Sequence, residues 1–275
     1  MRLAVLGSGS GGNATLLDTG KECVLVDAGL SAKQLVLRME VLGVNPKDLA
    51  GVLITHEHGD HIKGLEVFAR KHEIPVYATA ITREALERKV TSVKEWKLFT
   101  AGQEFLIGSL RIQSFAIPHD AVDPVGFTFE CGEMKAGVLT DLGHVTERVK
   151  KVMAGVTAMV LESNYCDQML DADEKRPWSL KQRISSRHGH LSNLQARDFA
   201  KELQEQGLER VVLGHLSRDC NTAAVASKEF ESLSLREVQV ASQDEPTSWI
   251  PVADPPPIAC SIDEDSGQVV MELFG

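Results

Sequence analysis

Residues 55–61 read Thr-His-Glu-His-Gly-Asp-His, and five of these seven side chains can bind a metal ion or transfer a proton. The apolar run 51–55 predicts a short buried strand before the histidines, and residues 62–68 predict the start of a helix after them. Enzymes built from strands and helices often carry their functional residues on the loop between the two. The sequence therefore predicts a functional site at residues 56–61.

The spacing within this stretch indicates how it would bind metal. His56 and His58 are two residues apart, so in extended backbone their side chains project to the same side and can share one ion. Asp60 and His61 are adjacent at the predicted turn into the helix and can face a second position beside the first. Two ions about 3.5–4 Å apart are a recurrent arrangement in hydrolases.

Six predicted strands end in a residue of the metal-binding type. They are followed, in chain order, by Asp27, His56, His119, Asp141, Glu162 and His215. Such a series predicts that the carboxyl ends of two sheets converge on one site. Imidazole and carboxylate ligands suit zinc, manganese or iron. A carboxylate that bridges two ions would hold them together, and Asp141 is the natural candidate.

The glycine-rich residues 7–12 raise a different hypothesis. They match the G-x-G-x-x-G pattern of a dinucleotide site, and Asp27 lies 20 residues after Gly7. That pattern must open a helix. Here residues 13–17 continue as a strand and then turn into another strand at 22–26. We therefore expect a β-hairpin with a glycine-rich first turn.

Composition indicates a globular protein without membrane segments. The chain has 275 residues, of which 43% are hydrophobic and 25% are charged, and its net charge is −10. We find no run near the ~18 apolar residues of a membrane span, and the N-terminal apolar run is too short for a signal peptide, so we expect a cytoplasmic location. The five cysteines are scattered without a C-x-x-C pair, which favours reduced thiols over a disulfide framework or a cysteine zinc site.

One local stretch departs from the negative charge. Residues 175–190, here called the basic segment, contain Lys175, Arg176, Lys181, Arg183 and Arg187 and no acidic residue. The segment leads into a capping box at 192–195 that opens a predicted helix to Gly207. Helix N-termini attract anions.

These features predict a phosphate-binding surface. Its expected substrate-binding residues are Arg183, Arg187, Ser192 and Asn193. The alternative is that the basic segment is a solvated face with no ligand. Trp178, in the same segment, either packs against the fold or stacks on a base.

The order of predicted elements favours one large domain. Hairpins dominate the first half, and strands and helices then alternate. Residues 243–257 contain five of the ten prolines. We predict a hydrolase domain at 1–243 and an appendage at 244–275 that packs on the same domain.

The motif at 56–61 resembles the H-x-H-x-D-H motif of the metallo-β-lactamase superfamily, and the later strand-end residues follow in that family's order. The resemblance implies an α/β (α+β) fold, a four-layer αββα sandwich, with two divalent metal ions per chain. It implies one ion on His56, His58 and His119, another on Asp60, His61 and His215, Asp141 as the bridge, and Asp27 orienting a ligand.

Further segments are similar to the YycJ/WalJ type of this superfamily. They are residues 7–13, 118–126, 140–144, 162–164, 189–193 and 214–217. This resemblance implies a phosphodiesterase of the 5′-to-3′ DNA exonuclease type with a role in DNA repair. The expected partner is therefore a nucleic acid, DNA rather than RNA. One departure stands out: Tyr165 and Cys166 follow Asn164, where that type would have a histidine.

The implied mechanism uses two catalytic residues. Asp60 would accept a proton from the attacking water, which the metals activate. His190 and the helix start at 189–193 would stabilise charge on the phosphate oxygens.

Two alternatives remain open at this point. The first is a small-molecule hydrolase on the same fold, which would be a cyclic phosphodiesterase or a thioester or lactone hydrolase. Thioesters and lactones do not need the basic segment. The second is a metal-binding regulatory protein without turnover, against which the full set of ligands argues. The sequence leaves the oligomeric state open.

Overall fold

A computed structural model describes residues 1–253 and the backbone of the strand residues 259–262 and 269–272. Two seven-stranded sheets form its centre. The strands, numbered along the chain, are β1 (Arg2–Gly7), β2 (Ala14–Asp18), β3 (Cys23–Val26), β4 (Leu49–Leu53), β5 (Val76–Thr79), β6 (Trp96–Phe99), β7 (Glu104–Ile107), β8 (Leu110–Ala116), β9 (Val125–Cys131), β10 (Met134–Leu139), β11 (Ala158–Glu162), β12 (Arg210–Gly214), β13 (Glu237–Val240) and β14 (Ile250–Pro251).

The first sheet has the order β14-β1-β2-β3-β4-β5-β6, and the second has the order β13-β12-β11-β10-β9-β8-β7. In each sheet an antiparallel part gives way to parallel strands, β3 to β6 in the first and β10 to β13 in the second. A separate pair, β15 (Ala259–Ile262) and β16 (Val269–Glu272), is antiparallel.

Helices cover the outer faces of both sheets. They are α1 (Ala32–Val41), α2 (Gly59–Ile62), α3 (Leu65–His72), α4 (Ala80–Leu86), α5 (Glu147–Met153), α6 (Asp167–Ala172), α7 (Trp178–Ile184), α8 (Asn193–Gln204) and α9 (Ala223–Phe230), with one 3-10 turn at Pro46–Asp48. The hydroxyl of Thr222 accepts the backbone N–H of Val225 and caps α9.

Alternation along the strands builds three apolar layers. In β2, Leu16 packs with Leu35 of α1 on one face, and Leu17 packs with residues of the second sheet, such as Phe127, on the other. A third layer lies between the second sheet and helices such as α8, which contributes Phe199. The predicted four-layer αββα sandwich is confirmed.

The chain between β1 and β2 forms the predicted hairpin. The two strands pair antiparallel and no helix follows the glycines, which rules out a Rossmann-type dinucleotide site at 7–12.

Part of the predicted appendage at 244–275 lies within the described residues. There, β14 pairs with the edge of β1, and Trp249 packs against the first apolar layer. The division of the chain near residue 243 stays a prediction. Of the rest of the predicted appendage, residues 254–258, 263–268 and 273–275 lie outside the described residues. Among the helices of the described ranges, none has the length and apolar character to cross a membrane.

Candidate metal centre

The predicted ligands meet where the two sheets come together at their carboxyl ends. Asp27 follows β3, His215 follows β12, and Asp141 comes two residues after β10. All three have left-handed backbone, with φ of 61°, 56° and 56° for Asp27, Asp141 and His215. The chain turns sharply at the end of each strand, and these turns aim the side chains into the space between the sheets. Asp and His tolerate this conformation better than most residues.

One group of three imidazoles, here called the first cluster, consists of His56, His58 and His119. Its ligand atoms all lie within 4.8 Å of one another. The Nδ1 atom of His56 is 2.9 Å from the Thr55 hydroxyl, and that of His119 is 3.2 Å from the Gly189 carbonyl oxygen. The rings of His56 and His119 are therefore held at Nδ1, with Nε2 left to face the other members.

A second cluster consists of Asp60, His61 and His215. The Nδ1 atoms of the two histidines contact buried carboxylates: His61 is 2.8 Å from Asp27, and His215 is 2.7 Å from Glu162. On the other side of each ring, Nε2 lies 3.5 Å from the Oδ2 atom of Asp60. Carboxylates behind imidazoles are a common support for metal ligands, because they fix the ring and raise its basicity.

Asp141 lies between the two clusters. Its Oδ2 atom is 2.9 Å from His61 Nε2, and its Oδ1 atom is 3.2 Å from His215 Nδ1 and 3.7 Å from His119 Nε2. This placement suits the bridging role that we predict for it.

Sequence reasoning named Glu162 as a strand end but gave it no role in the site. The structure buries it completely and gives both oxygens two partners. Oε1 lies 2.9 Å from His190 Nδ1 and contacts His215, and Oε2 accepts from the backbone N–H groups of Leu142 and Leu191 at 2.7 Å and 3.2 Å. Glu162 therefore positions two histidines and two loops. The sequence feature that could have indicated this role is its position at the end of a buried strand.

The glycine-rich turn also reaches the site, which the sequence did not indicate. The side-chain amide of Asn13 lies 3.3 Å from Asp60 Oδ2 and 3.1 Å from His61 Nε2. The Ser8 hydroxyl donates to Asn13 and accepts the backbone N–H of His215 at 2.7 Å. At Gly29 a Cβ atom would lie 1.6 Å from the Asp60 carbonyl oxygen, so only glycine allows this approach.

The two clusters differ in the pKa values of their histidines. Burial holds the pKa of His56 and of His119 below its ordinary value. Burial also opposes protonation of His215, but Asp141, Asp60 and Glu162 outweigh it and raise the pKa of His215 to about 10. In the same way Asp141 and Asp27 outweigh burial and raise the pKa of His61 well above its ordinary value. The metal-free second cluster is thus a network of imidazolium and carboxylate groups.

The predicted substrate-binding residues fall into two groups. Arg183 and Arg187 lie on the surface; Arg183 Nε donates to Asp120 at 2.7 Å, and Arg187 lies 2.9 Å from His144 Nε2. In contrast, Ser192 and Asn193 are both 2% exposed.

The buried side chains of this second group bond within the protein. Ser192 caps α8, and Asn193 bonds to Ser163 and Asn221 at 2.7 Å and 3.0 Å. Their side chains therefore stabilise the loop, and this geometry does not support a direct contact with substrate.

Tyr165, which departs from the expected pattern, is also a structural residue. It is buried against Leu170 and Cys220, and its backbone bridges to Ser192. It therefore offers nothing to a substrate at the centre.

The donor set fits divalent metal ions. The Nε2 atoms of His56 and His119 are buried and have no hydrogen-bond partner among the described residues, which is costly unless a further group binds them. Nitrogen and carboxylate donors grouped within a few ångströms are what zinc, manganese and iron require.

The fold and these ligand groups define a class of protein. The family model described as "Beta-lactamase superfamily domain" matches residues 22–216. The chain belongs to this superfamily and has its metallo-β-lactamase fold.

Within the superfamily, curated relatives confirm the YycJ/WalJ type. The chain is 37% identical over 228 residues to "Exodeoxyribonuclease YycJ" of Bacillus anthracis, which covers 82% of this chain and 86% of that protein. It is 36% identical over 230 residues to "Exodeoxyribonuclease WalJ" of Streptococcus pneumoniae, covering 82% and 85%.

A solved structure supports the fold. The metallo-β-lactamase fold protein YhfI from Bacillus subtilis aligns with a TM-score of 0.69 at 20% identity, over 90% of this chain and 99% of that one. At this identity the likeness concerns the fold alone.

Proposed function

We propose that the protein is a two-metal phosphodiesterase that degrades DNA from a 5′ end. The observation that carries the proposal is the pair of ligand clusters with Asp141 between them. Relatives named exodeoxyribonuclease, aligned over 82% of the chain, support DNA as the substrate. Roles in DNA repair and in the cytoplasm stay predictions.

The proposed centre holds one divalent ion in the first cluster and a second ion in the second cluster, with zinc, manganese and iron as the candidates. When bound, two such ions lower the pKa of a water molecule and stabilise negative charge on a phosphoryl group. The protein supplies the remaining functions through its own side chains.

Asp60 is the group that we assign to accept a proton from the attacking water. Burial opposes its ionisation, but hydrogen bonds to His215 and His61 outweigh this and hold its pKa below the usual range. Its carboxylate is therefore ionised at neutral pH. With the side chain 24% exposed, one edge can reach a water molecule.

His190 is the group that we assign to stabilise the phosphate. Burial opposes its protonation, but Glu162 outweighs burial and raises the pKa of His190. Glu162 also holds Nδ1 at 2.9 Å, which leaves Nε2 to donate to a phosphate oxygen. The ring is partly exposed, and it lies 5.4 Å from His119 and 5.0 Å from His215, measured between ring centroids.

A time course on end-labelled DNA and RNA, single- and double-stranded, with Mn²⁺ or Zn²⁺ supplied, tests the proposal. Wild type is expected to shorten DNA from the 5′ end. Asp60→Asn should lower the rate by roughly 10²–10⁴-fold, the usual contribution of a general base. Asp167→Asn is the matched control, because this carboxylate is exposed in the first turn of α6, and its rate should not change.

The following outcomes would contradict the proposal or a part of it. Activity that is unaffected by Asp60→Asn would contradict the role assigned to Asp60, and a protein that binds no metal would contradict a two-metal enzyme. A protein that binds metal but turns over no substrate would favour the regulatory alternative. Unchanged turnover of long DNA by an Arg183→Gln/Arg187→Gln double variant would contradict the polyanionic substrate. That result would favour a small-molecule hydrolase on the same fold.

A further inference from the structure

Helix α7, in the middle of the basic segment, has no buried residue. Trp178 at its first position is 68% exposed, so the alternative that this ring packs against the fold is wrong. Ile184 in the last turn of the helix is partly buried against Leu170 and Cys220, whereas Trp178 and Leu180 are exposed. Its exposed face and ring therefore suggest that a ligand uses this surface.

Ion pairs fix the segment at both sides of α7. Before the helix, Arg176 pairs with Asp173 at 2.5 Å and with Asp219 at 2.8 Å. Within its last turn, Arg183 pairs with Asp120. Asp120 directly follows His119, and Asp219 comes four residues after His215. Helix α7 thus spans from the loop of one ligand cluster to the loop of the other, at the mouth of the centre.

The helix also contacts the site directly at its C-terminal end. The carbonyl of Ile184 accepts the backbone N–H of His190 at 2.9 Å. Seven helical residues are about 10 Å long. Trp178 therefore lies at the end of α7 that is opposite to the contact with His190.

Charge favours a nucleic acid as the ligand of this surface. Within the described part of the chain, Lys181 donates to the Asp171 carbonyl and Arg187 faces the His144 ring, and neither has a carboxylate partner. The basic segment itself contains no acidic residue, in a protein of net charge −10. An exposed indole among cations matches the combination by which proteins bind single strands.

We propose that Trp178 stacks on an unpaired nucleobase of the DNA strand whose end lies over the metal centre. This inference rests on the proposed function and deepens it: the substrate is single-stranded, or has an unpaired end, where it passes α7 next to the metal centre. Bases inside a duplex already stack on their neighbours and present no free face to the indole.

Two phosphorothioate oligonucleotides of equal length, which resist hydrolysis, separate stacking from charge. One is oligodeoxythymidylate, and the other has abasic sugars in place of the thymidines. Binding to the metal-loaded full chain is measured by fluorescence anisotropy of a label on the DNA. Trp178→Ala should weaken binding of the thymine strand about tenfold and leave the abasic strand unchanged, since one base–aromatic stack contributes on that scale.

Protein controls test the aromatic requirement. Trp178→Phe should keep most of the affinity for the thymine strand, because a smaller ring still stacks. Leu106→Ala removes an exposed apolar side chain on β7 and should bind both strands like wild type. Circular dichroism of each variant checks that the fold is intact.

The outcomes separate this inference from the proposed function. Equal affinity of Trp178→Ala and wild type for the thymine strand, or an equal loss on both strands, overturns stacking while leaving the exonuclease standing. Failure of wild type to bind either strand overturns both. Capture of a protein partner that depends on Trp178, with DNA binding unchanged, also overturns the inference.

Discussion

The two ligand clusters are supported by different chemistry. In the first cluster, the Nδ1 partners are a hydroxyl and a backbone carbonyl, whereas in the second they are the carboxylates of Asp27 and Glu162. Burial lowers the pKa of His56 and of His119, so these two imidazoles are uncharged at neutral pH. The carboxylates of the second cluster make its imidazoles more basic and draw protons to them. One fold thus builds two adjacent positions that differ in how strongly protons compete with metal.

Removal of one of these carboxylates should have the largest effect on the difference between the two clusters. Glu162→Gln keeps the shape but loses the charge behind His215 and His190. Metal affinity of the second cluster should fall 10–100-fold, the usual effect of losing such a support, while the first cluster keeps its ion. Each protein is titrated with metal and its bound metal is then measured. At a free metal concentration that fills both clusters of wild type but not the weakened second cluster, wild type should hold two ions per chain and the variant one.

The control for this change is Glu57→Gln. Glu57 lies within residues 56–61, but its side chain accepts from the backbone N–H of Val122, at 3.1 Å and 3.3 Å, and faces no imidazole. Its substitution should leave both affinities unchanged. Equal loss of both ions in Glu162→Gln would show that the two clusters form one inseparable unit.

The number of protons released when metal binds should also differ between the two clusters. With a pKa of about 10, His215 is protonated at neutral pH without metal, and so is His61, whose pKa is also raised. Binding at the second cluster must displace about two protons, so its affinity falls as the pH falls. In the first cluster, His56 and His119 release about none, because burial lowers their pKa values.

Calorimetric titration in buffers of different ionisation enthalpy counts these protons for each ion. The predicted difference between the two binding steps is about two protons at neutral pH. If both ions released the same number, the carboxylates behind the second cluster would not set its protonation.

The smallest effect is expected from a change at Thr55, which links the two clusters. The Thr55 hydroxyl donates to Asp27 at 2.8 Å and lies 2.9 Å from His56 Nδ1, so it joins the support of one cluster to a ligand of the other. Thr55→Val removes this link at nearly constant volume and should cost about 1–3 kcal/mol of unfolding free energy. Metal affinity of the first cluster should fall less than tenfold.

Urea denaturation and metal titration measure the two quantities for this variant. Thr128→Val is the matched control for stability, because its buried hydroxyl has no hydrogen-bond partner and its loss should cost little. A larger loss at the second cluster than at the first would place the role of Thr55 with Asp27 instead.

Local signals in the sequence were sufficient for most strands, and the resemblance of the motif at 56–61 to a known superfamily implied the sandwich. Alternating apolar residues with a polar residue at each strand end define both the sheets and the edge where ligands gather. The same pattern predicted that Asp27, Asp141 and His215 lie close together. It could not assign Glu162, because a strand-end pattern does not distinguish a residue that faces the ions from one that lies behind a histidine.

Other features depend on contacts between distant residues or lack a pattern. β14 pairs with β1 across almost the whole chain, and Asn13 meets Asp60 after 47 residues, so neither contact has a local signal. Helix α7 was not predicted because it buries no residue and therefore has no apolar period. The burial of Asn193 could not be predicted either, because the sequence of a capping segment is the same whether its side chains are exposed or buried.

The left-handed backbone at Asp27, Asp141 and His215 has a consequence for the evolution of this chain. Each of these conformations costs free energy that glycine would avoid, on the order of 1 kcal/mol per residue. Selection for thermal stability alone would therefore favour glycine at these positions and erase the centre. A thermostabilised design of this protein should therefore hold these three positions fixed.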